Sequence, residues 1–324
     1  MKSYWLIKTA SGTVLEAREV PQPQAAPGQV VVRMHATSIN RGDILASISR
    51  HSAAASRPAG VDGAGVIDAL GENVRQFAPG DRVMLRAKGA FAEYVAADAA
   101  LLTPMPPGLP WEQAAAIPVV YITAYEAVMQ LGRLQPGEWL LIAGASSGVG
   151  VAALQAAKLL GARVIGVSGS ADKLERLAAM GLDVGIEGRG AGFAAAALAA
   201  TGGRGVDLAV NLVGGSAFPD CLQALADFGR LAVVGYVDGR MTAGLDLESV
   251  HGKRLQIFGV SNAPLSPAQR AAAQRGFERE LLPALADGRI APVIDRVFDF
   301  ADAVAAKAYV ERNALLGKVV IRIA

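Results

Sequence analysis

Trp139-Leu140-Leu141-Ile142-Ala143 runs into Gly144-Ala145-Ser146-Ser147-Gly148-Val149-Gly150, and that turn runs into Val151-Ala152-Ala153-Leu154-Gln155-Ala156-Ala157. The first five residues are apolar on both alternating faces, which suits a strand of a parallel sheet covered on both sides. The seven that follow are small, so backbone N–H groups can come close to a phosphate. The alanine-rich run after them reads as a helix whose N-terminus points its partial positive charge at an anion. A second apolar stretch, Arg163-Val164-Ile165-Gly166-Val167, returns one crossover later and completes a βαβ unit. This is the frame that holds a dinucleotide pyrophosphate. Ala145 and Ser147 stand where glycine is usual; both are small, and the Ser147 hydroxyl is a candidate for an added phosphate hydrogen bond.

The residue closing the second strand selects the cofactor. A carboxylate there would accept hydrogen bonds from the ribose hydroxyls and repel a 2′-phosphate. This chain has Ser168, followed by Gly169-Ser170-Ala171-Asp172-Lys173. Two hydroxyls and an ammonium suit a phosphate, so NADPH is expected over NADH. Arg189 is a candidate second cation, and Glu187 close by argues the other way.

A chain of 324 residues predicts two domains. A net charge of +2 and 6% aromatic residues offer neither a basic stripe nor stacking platforms, which leaves nucleic-acid binding without support. The lone cysteine, Cys221, excludes an internal disulfide framework and fits a reducing, cytoplasmic location. The opening residues have too short an apolar core for a signal peptide. The uncharged run 139–157 matches a membrane span in length alone, and its glycine-serine turn favours the soluble reading, with no membrane span.

Short β-patterns fill the first third: Gln29-Val30-Val31-Val32-Arg33-Met34, Gly65-Val66-Ile67, and Arg82-Val83-Met84-Leu85 after the turn Pro79-Gly80-Asp81. From Trp111 helix and strand alternate, with further strands expected at 208–213, 230–234 and 255–259, the last as a sheet edge. Residues 266–287 read as one long helix, with a break suggested at Pro283, and the end of the chain returns to strands. The fold class is therefore α/β: a doubly wound parallel sheet at 120–288, and a barrel-like domain at 1–119 completed by 289–324, with a cleft between two lobes holding the cofactor.

Pro79-Gly80-Asp81-Arg82-Val83, Gly89-Ala90-Phe91-Ala92-Glu93-Tyr94-Val95, the dinucleotide turn, Thr201-Gly202-Gly203-Arg204-Gly205-Val206-Asp207 and Gly317-Lys318-Val319-Val320 resemble, in order and over nearly the whole chain, the medium-chain dehydrogenase/reductase superfamily. Within it the chain is most similar to the zinc-independent quinone oxidoreductase branch. That resemblance implies a GroES-like catalytic domain, a Rossmann domain, NADPH as hydride donor and a homodimer. It places Asn40, Val61 and approximately Val119 where zinc-dependent members carry their metal ligands, with Asp62 in the neighbouring carboxylate position. An amide and two valines do not make a zinc site, and the four cysteines of the structural zinc are missing, so no metal is expected.

Without a Lewis acid the accessible reaction is hydride addition to a quinone or an α,β-unsaturated carbonyl, where charge moves to a remote oxygen. The resemblance implies Asn40 near nicotinamide and substrate, with Asp43 supporting its loop, and a cofactor contact for Thr123; Tyr121, beside Thr123, is a further catalytic candidate. The same resemblance implies cofactor contacts from Asn40, Thr123, Ser146, Ser147, Gly148, Val149, Ser168, Gly169, Lys173, Val213, Gly235, Tyr236, Val260, Leu315 and Gly317. The other reading of Asn40 is a turn-stabilising side chain. Tyr121 and Tyr125 flank Thr123 as candidate proton donors, one of the two being a packing residue. The loop Ser47–Arg57 departs from the branch, offering Arg50 and His51 where tyrosines often line the acceptor pocket. An enoyl-thioester reductase is the alternative enzyme, which Arg41, Arg50 and Arg57 would serve as a basic patch. An NADPH-binding protein with little turnover is the alternative outside enzymology.

Overall fold

The computed structural model describes residues 1–10, 12–44, 55–262 and 264–324. They divide into two units: Met1–Ile122 with Ser266–Ala324, and Thr123–Leu265.

In the second unit six parallel strands line up as Val184–Glu187, Arg163–Ser168, Trp139–Ala143, Val206–Asn211, Leu225–Val233 and Gln256–Gly259. Numbered within the unit, that order is 3-2-1-4-5-6, the doubly wound arrangement. The first strand lies centrally, so its C-terminal end faces the point where the strand order reverses. Leu141, Ala143, Ile165, Val167, Ala209, Leu225 and Leu231 are buried together with Phe193, Ala197 and Cys221 from the crossovers. The strand Gln256–Gly259 closes the sheet as an edge, as its sequence implied, with Ile257 38% exposed.

The first unit holds a seven-stranded sheet built around the long strand Gln29–Ile39. Along one edge Tyr94–Asp98 pairs with its first half and Lys318–Arg322 with its second; Asp62–Leu70 pairs antiparallel along the other. Arg82–Arg86, Leu102–Pro104 and Ile294–Asp299 extend this sheet, and Lys2–Thr9, Gly12–Glu19 and Ser56–Pro58 form a smaller one. The C-terminal strand thus completes the domain begun by the N-terminal third, as expected.

One expectation is corrected. Residues 266–288 belong to the first unit rather than to the Rossmann unit. The helix Pro267–Glu280 is fastened there by polar side chains: Gln274 Nε2 donates to Thr103 Oγ1, and Thr103 Oγ1 donates to Glu278 Oε1 at 2.8 Å. The helix read over 266–287 is broken next to Pro283, as suggested, into Pro267–Glu280 and Leu282–Ala286. The first opens on a capping box between Ser266 and Gln269. The chain breaks at Leu281 because Pro283, in the first turn of the second piece, has no N–H to continue the ladder. Pro118–Ala124 is helical, and it continues as a π-helical turn, Tyr125–Gln130, that alternation alone did not foretell.

Candidate functional site

The nucleotide end of the second unit is built by a strand, a turn and a helix. Trp139–Ala143 ends, Gly144 turns with φ of 88°, and the helix Gly148–Leu159 begins behind Ser147. A Cβ on Gly150 would lie 2.6 Å from the carbonyl oxygens of Gly144 and Ala145, so only glycine lets helix and turn pack this closely. Ala145 is accommodated where glycine is usual because Gly166, on the neighbouring strand, has no side chain to meet its methyl; a Cβ there would fall 3.0 Å away.

Ser147 is the helix cap. Its Oγ accepts from the Gly150 N–H at 3.1 Å and donates to the Gly144 carbonyl at 2.9 Å. A hydroxyl has one proton to give, so the phosphate hydrogen bond expected from Ser147 would require releasing Gly144. The cradle that fits a pyrophosphate is instead backbone: Gly148 and Val149 stand in the first helical turn, where N–H groups have no intrahelical acceptor.

At the end of the second strand Ser168 is buried and donates to Ser146 Oγ at 3.2 Å. Glu187 stands in register beside Ser168 and is exposed. Arg189 folds over Gly169: a Cβ on that glycine would lie 2.5 Å from Arg189 Cγ and Nε, and Arg189 Nη2 approaches the Gly169 carbonyl at 3.4 Å. Ser170 starts the helix Ala171–Ala178 without capping it through its hydroxyl, and Lys173 lies in the first turn. The structure therefore brings Ser146, Ser168, Gly169 and Arg189 together.

Asn211, which the sequence reading missed, organises the next loop. This buried amide accepts from the Val213 and Gly214 N–H groups at 2.9 and 3.0 Å and donates to the Gly214 carbonyl at 2.9 Å. Its carbonyl receives the N–H groups of Val234 and Gly235. Val213, Gly235 and half-buried Tyr236 are thereby held at strand ends, and Val260 is tied to Val233 by its N–H at 2.9 Å. The available signal was a polar residue closing the apolar run Leu208-Ala209-Val210-Asn211.

In the first unit Asn40 joins the strand Gln29–Ile39 to the helical turn Arg41–Ile44. Its backbone N–H donates to Asp43 Oδ2 at 3.1 Å, and the Asp43 N–H donates back to the Asn40 carbonyl at 2.9 Å. Its Nδ2 donates to Asp43 Oδ2 at 3.1 Å and to Asp62 Oδ1 at 3.0 Å, and its Oδ1 accepts from Lys318 Nζ at 2.6 Å. Ser38 Oγ also donates to Asp62 Oδ1, at 2.9 Å. Asp43, Asp62 and Lys318 are all buried.

Burial, then the charge of Asp62, pushes the Asp43 carboxyl up to about 7 against the opposing pull of Lys318 and Asn40. Burial also raises Asp62, opposed by Lys318, Ser38, Asn40 and the Val119 N–H, and it lowers Lys318, opposed by the two carboxylates. Every N–H of Asn40 is engaged within this cluster. Its geometry favours holding the turn over donating to a substrate oxyanion.

Tyr121 is fully buried, and burial pushes its phenol above the ordinary range, which fits packing rather than proton donation. Tyr125 is buried as well, and Thr123 is 7% exposed at the start of the second unit. Leu315 packs beside the core of the first unit, and Gly317 turns against the Val293 carbonyl, where a Cβ would lie 2.2 Å away. Arg57 donates to the Asp43 carbonyl at 3.0 Å and Arg41 is half-buried; Arg50 and His51 lie outside the described residues, with most of the loop expected to line the acceptor pocket. Among the described residues no three or more His, Cys, Asp or Glu side chains are grouped to hold a metal, and no helix is long and apolar enough to cross a membrane.

Residues 26–107 match the family described as the alcohol dehydrogenase GroES-like domain, and residues 148–273 match the zinc-binding dehydrogenase family. The chain belongs to the medium-chain dehydrogenase/reductase superfamily. A mycobacterial protein of this fold, solved in complex with NADPH, is 25% identical with a TM-score of 0.89, each chain covered over 100% of its length. A quinone oxidoreductase of Pseudomonas syringae pv. Tomato DC3000 is 27% identical with a TM-score of 0.88, again over 100% of both chains. The spectinabilin polyketide synthase system protein NorB of Streptomyces orinoci is 34% identical over 98% of this chain, which spans 14% of that protein's length. The matched families and the likeness to a structure solved with NADPH support an oxidoreductase fold with a nicotinamide cofactor.

Proposed function

We propose that this medium-chain dehydrogenase/reductase is an NADPH-dependent reductase that adds hydride to a quinone or an α,β-unsaturated carbonyl without zinc. The observation that carries the reading is the strand end at Ser168: a hydroxyl stands where a ribose-binding carboxylate would select NADH, with Arg189 folded over the adjacent Gly169. The similar mycobacterial protein bound to NADPH supports the same cofactor.

Bound NADPH would supply the hydride. The Gly148 and Val149 N–H groups would receive the pyrophosphate, and Ser146, Lys173 and Arg189 would receive the 2′-phosphate. Asn40 and Asp43 would shape the loop that handles the acceptor. The charge that develops on the acceptor's remote oxygen needs a hydrogen-bond donor, and the closing proton can come from water. Valine at positions 61 and 119 supports chemistry without a Lewis-acid metal. The likeness to a quinone oxidoreductase favours quinones and enones. The likeness to a polyketide synthase system protein favours an enoyl thioester as the alternative acceptor. The reading includes a cytoplasmic homodimer joined at the exposed strand edge Gln256–Gly259.

The test is NADPH consumption, followed by absorbance, with quinones, alkenals, enoyl thioesters and simple alcohols plus NADP. Reduction of a quinone or enone that exceeds alcohol oxidation is the expected result. Thioester reduction alone would move the assignment to the alternative, and oxidation of alcohols alone would overturn the reaction class.

A further inference from the structure

Lys318 is a buried ammonium that the proposed chemistry does not use. It is 4% exposed and opens the strand Lys318–Arg322, whose pairing of Val319 with Ile39 brings the Lys318 side chain to the base of the Asn40 turn. Its Nζ donates to the Ile39 carbonyl at 3.1 Å and to Asn40 Oδ1 at 2.6 Å, and lies 3.9 Å from Asp62 Oδ2. Asp62 Oδ2 has no hydrogen-bond partner among the described residues, so the ammonium is the charge that compensates it.

An ammonium can only donate, and an ionised carboxylate can only accept. With Lys318 Nζ donating on one side and the oxygens Asp43 Oδ2 and Asp62 Oδ1 accepting on the other, the Asn40 amide has one orientation that satisfies all of them. Turned over, it would set its NH2 against the ammonium and its oxygen against two carboxylates. Without the ammonium, Asn40 Oδ1 would lose its donor, and two buried carboxylates would share one amide with no positive charge to balance them. Buried ion sets are poor sources of stability, since apolar residues of like volume can replace them without loss. Specificity of conformation is the better reason for an ion set at this turn.

We propose that Lys318 is a positioning residue for the reductase site: its ammonium locks the Asn40 amide and the Asn40–Ile44 turn into the one conformation that serves the acceptor. This inference rests on the assignment of that turn to acceptor handling under the proposed function.

The experiment compares the full-length wild type with Lys318→Met, Lys318→Arg and the double variant Lys318→Met/Asp62→Asn, which restores charge balance. Three quantities are read: kcat and KM for the acceptor, NADPH affinity by titration, and the Asn40 side-chain amide resonances in a 15N spectrum, assigned by their loss in Asn40→Ala. In Lys318→Met, kcat should fall by about 10- to 100-fold, as expected for a misplaced reacting geometry. KM and NADPH affinity should stay within about threefold, and the amide pair should shift or broaden.

Lys318→Arg, which can still donate to Asn40 Oδ1, should recover part of the amide signature and of kcat. The double variant should regain thermal stability and keep the low kcat, a split that a merely structural lysine would not produce. It also serves as the test should Lys318→Met alone fail to fold. An unchanged amide signature in Lys318→Met, or kcat recovered together with stability in the double variant, would overturn the inference. A wild type inert towards every acceptor overturns the reductase reading instead. In that case a lost amide signature in Lys318→Met still supports the lock, and a retained one still overturns it.

Discussion

The Ser147 hydroxyl accepts the Gly150 N–H at 3.1 Å, closing the first turn of the helix that follows the nucleotide loop. The same oxygen holds the Gly144 carbonyl by its one proton. Ser147 therefore shapes the turn from within.

Ser147→Ala should act chiefly on stability. Loss of a helix cap costs about 0.5–2 kcal/mol, which for a unit of this size lowers Tm by roughly 2–8 °C. NADPH affinity should fall by less than about tenfold, because the N–H groups of Gly148 and Val149 remain. Differential scanning calorimetry beside a fluorescence titration separates the two effects. A loss of affinity of several decades with unchanged Tm would make Ser147 a direct phosphate ligand.

Cofactor preference should depend on Arg189 and Ser168. A charge-assisted hydrogen bond is worth about 1.5–3 kcal/mol, and Arg189 is exposed, so screening reduces its share. Arg189→Ala should weaken NADPH binding by about tenfold and leave NADH unchanged. Ser168→Asp, which sets a second carboxylate beside Glu187, should turn preference towards NADH. Equal affinities of the wild type for both cofactors would remove the argument.

Asp43 makes stability depend on pH with a definite sign. Its carboxyl is raised from 3.8 to about 7 in the folded protein, so the native state binds the proton more tightly than the unfolded chain. Its contribution to stability is complete below pH about 4 and is lost as pH rises through about 7. Urea unfolding of wild type and Asp43→Asn between pH 4.5 and 8 should show the wild type losing stability relative to the variant across that window. A difference that is flat with pH, or that grows in the other direction, would place the charge elsewhere.

Exhaustive chelation should leave activity intact, and metal analysis should find no stoichiometric zinc. The resemblance puts Asn40, Val61 and approximately Val119 at the zinc-ligand positions of the family, and the amide of Asn40 is already engaged by Asp43, Asp62 and Lys318. Zinc recovered with the protein, and activity lost on its removal, would contradict this.

The dimer should depend on Ile257, 38% exposed on the edge strand of the six-stranded sheet. Ile257→Lys places a charge on an edge that would pair with a second copy, so light scattering should show a smaller mass for the variant than for the wild type. A wild type that is monomeric at micromolar concentration would remove the dimer from the proposal.

Much of this protein was legible from local sequence because the physics there is local. The run from Trp139 to Ala157 encodes strand, turn and helix through side-chain size and apolar pattern, and the structure builds those elements in the expected places. Five of the six Rossmann strands followed from their apolar runs, although Val206–Asn211 and Leu225–Val233 begin earlier than hydrophobicity suggested; the short half-exposed edge strand Val184–Glu187 has no such run and did not. The cap made by Ser147 is visible only in the structure, because a free hydroxyl and a capping hydroxyl have the same sequence. Tyr121 looked available because only packing reveals that a tyrosine is enclosed.

The sequence by itself determined the doubly wound unit, its nucleotide turn, and a first domain completed by the C-terminal strand. Tertiary structure alone decided the cluster around Asn40. Lys318 is 278 residues away from Asn40 along the chain, and the two meet only because Val319 pairs with Ile39 across antiparallel strands. Asp62 arrives from the other neighbouring strand, where the pairing of Thr37 with Gly63 sets it beside Ser38. No local pattern encodes such a meeting. Once it is made, burial leaves Lys318 as the charge that balances the carboxylates, and the amide between them has one way to lie.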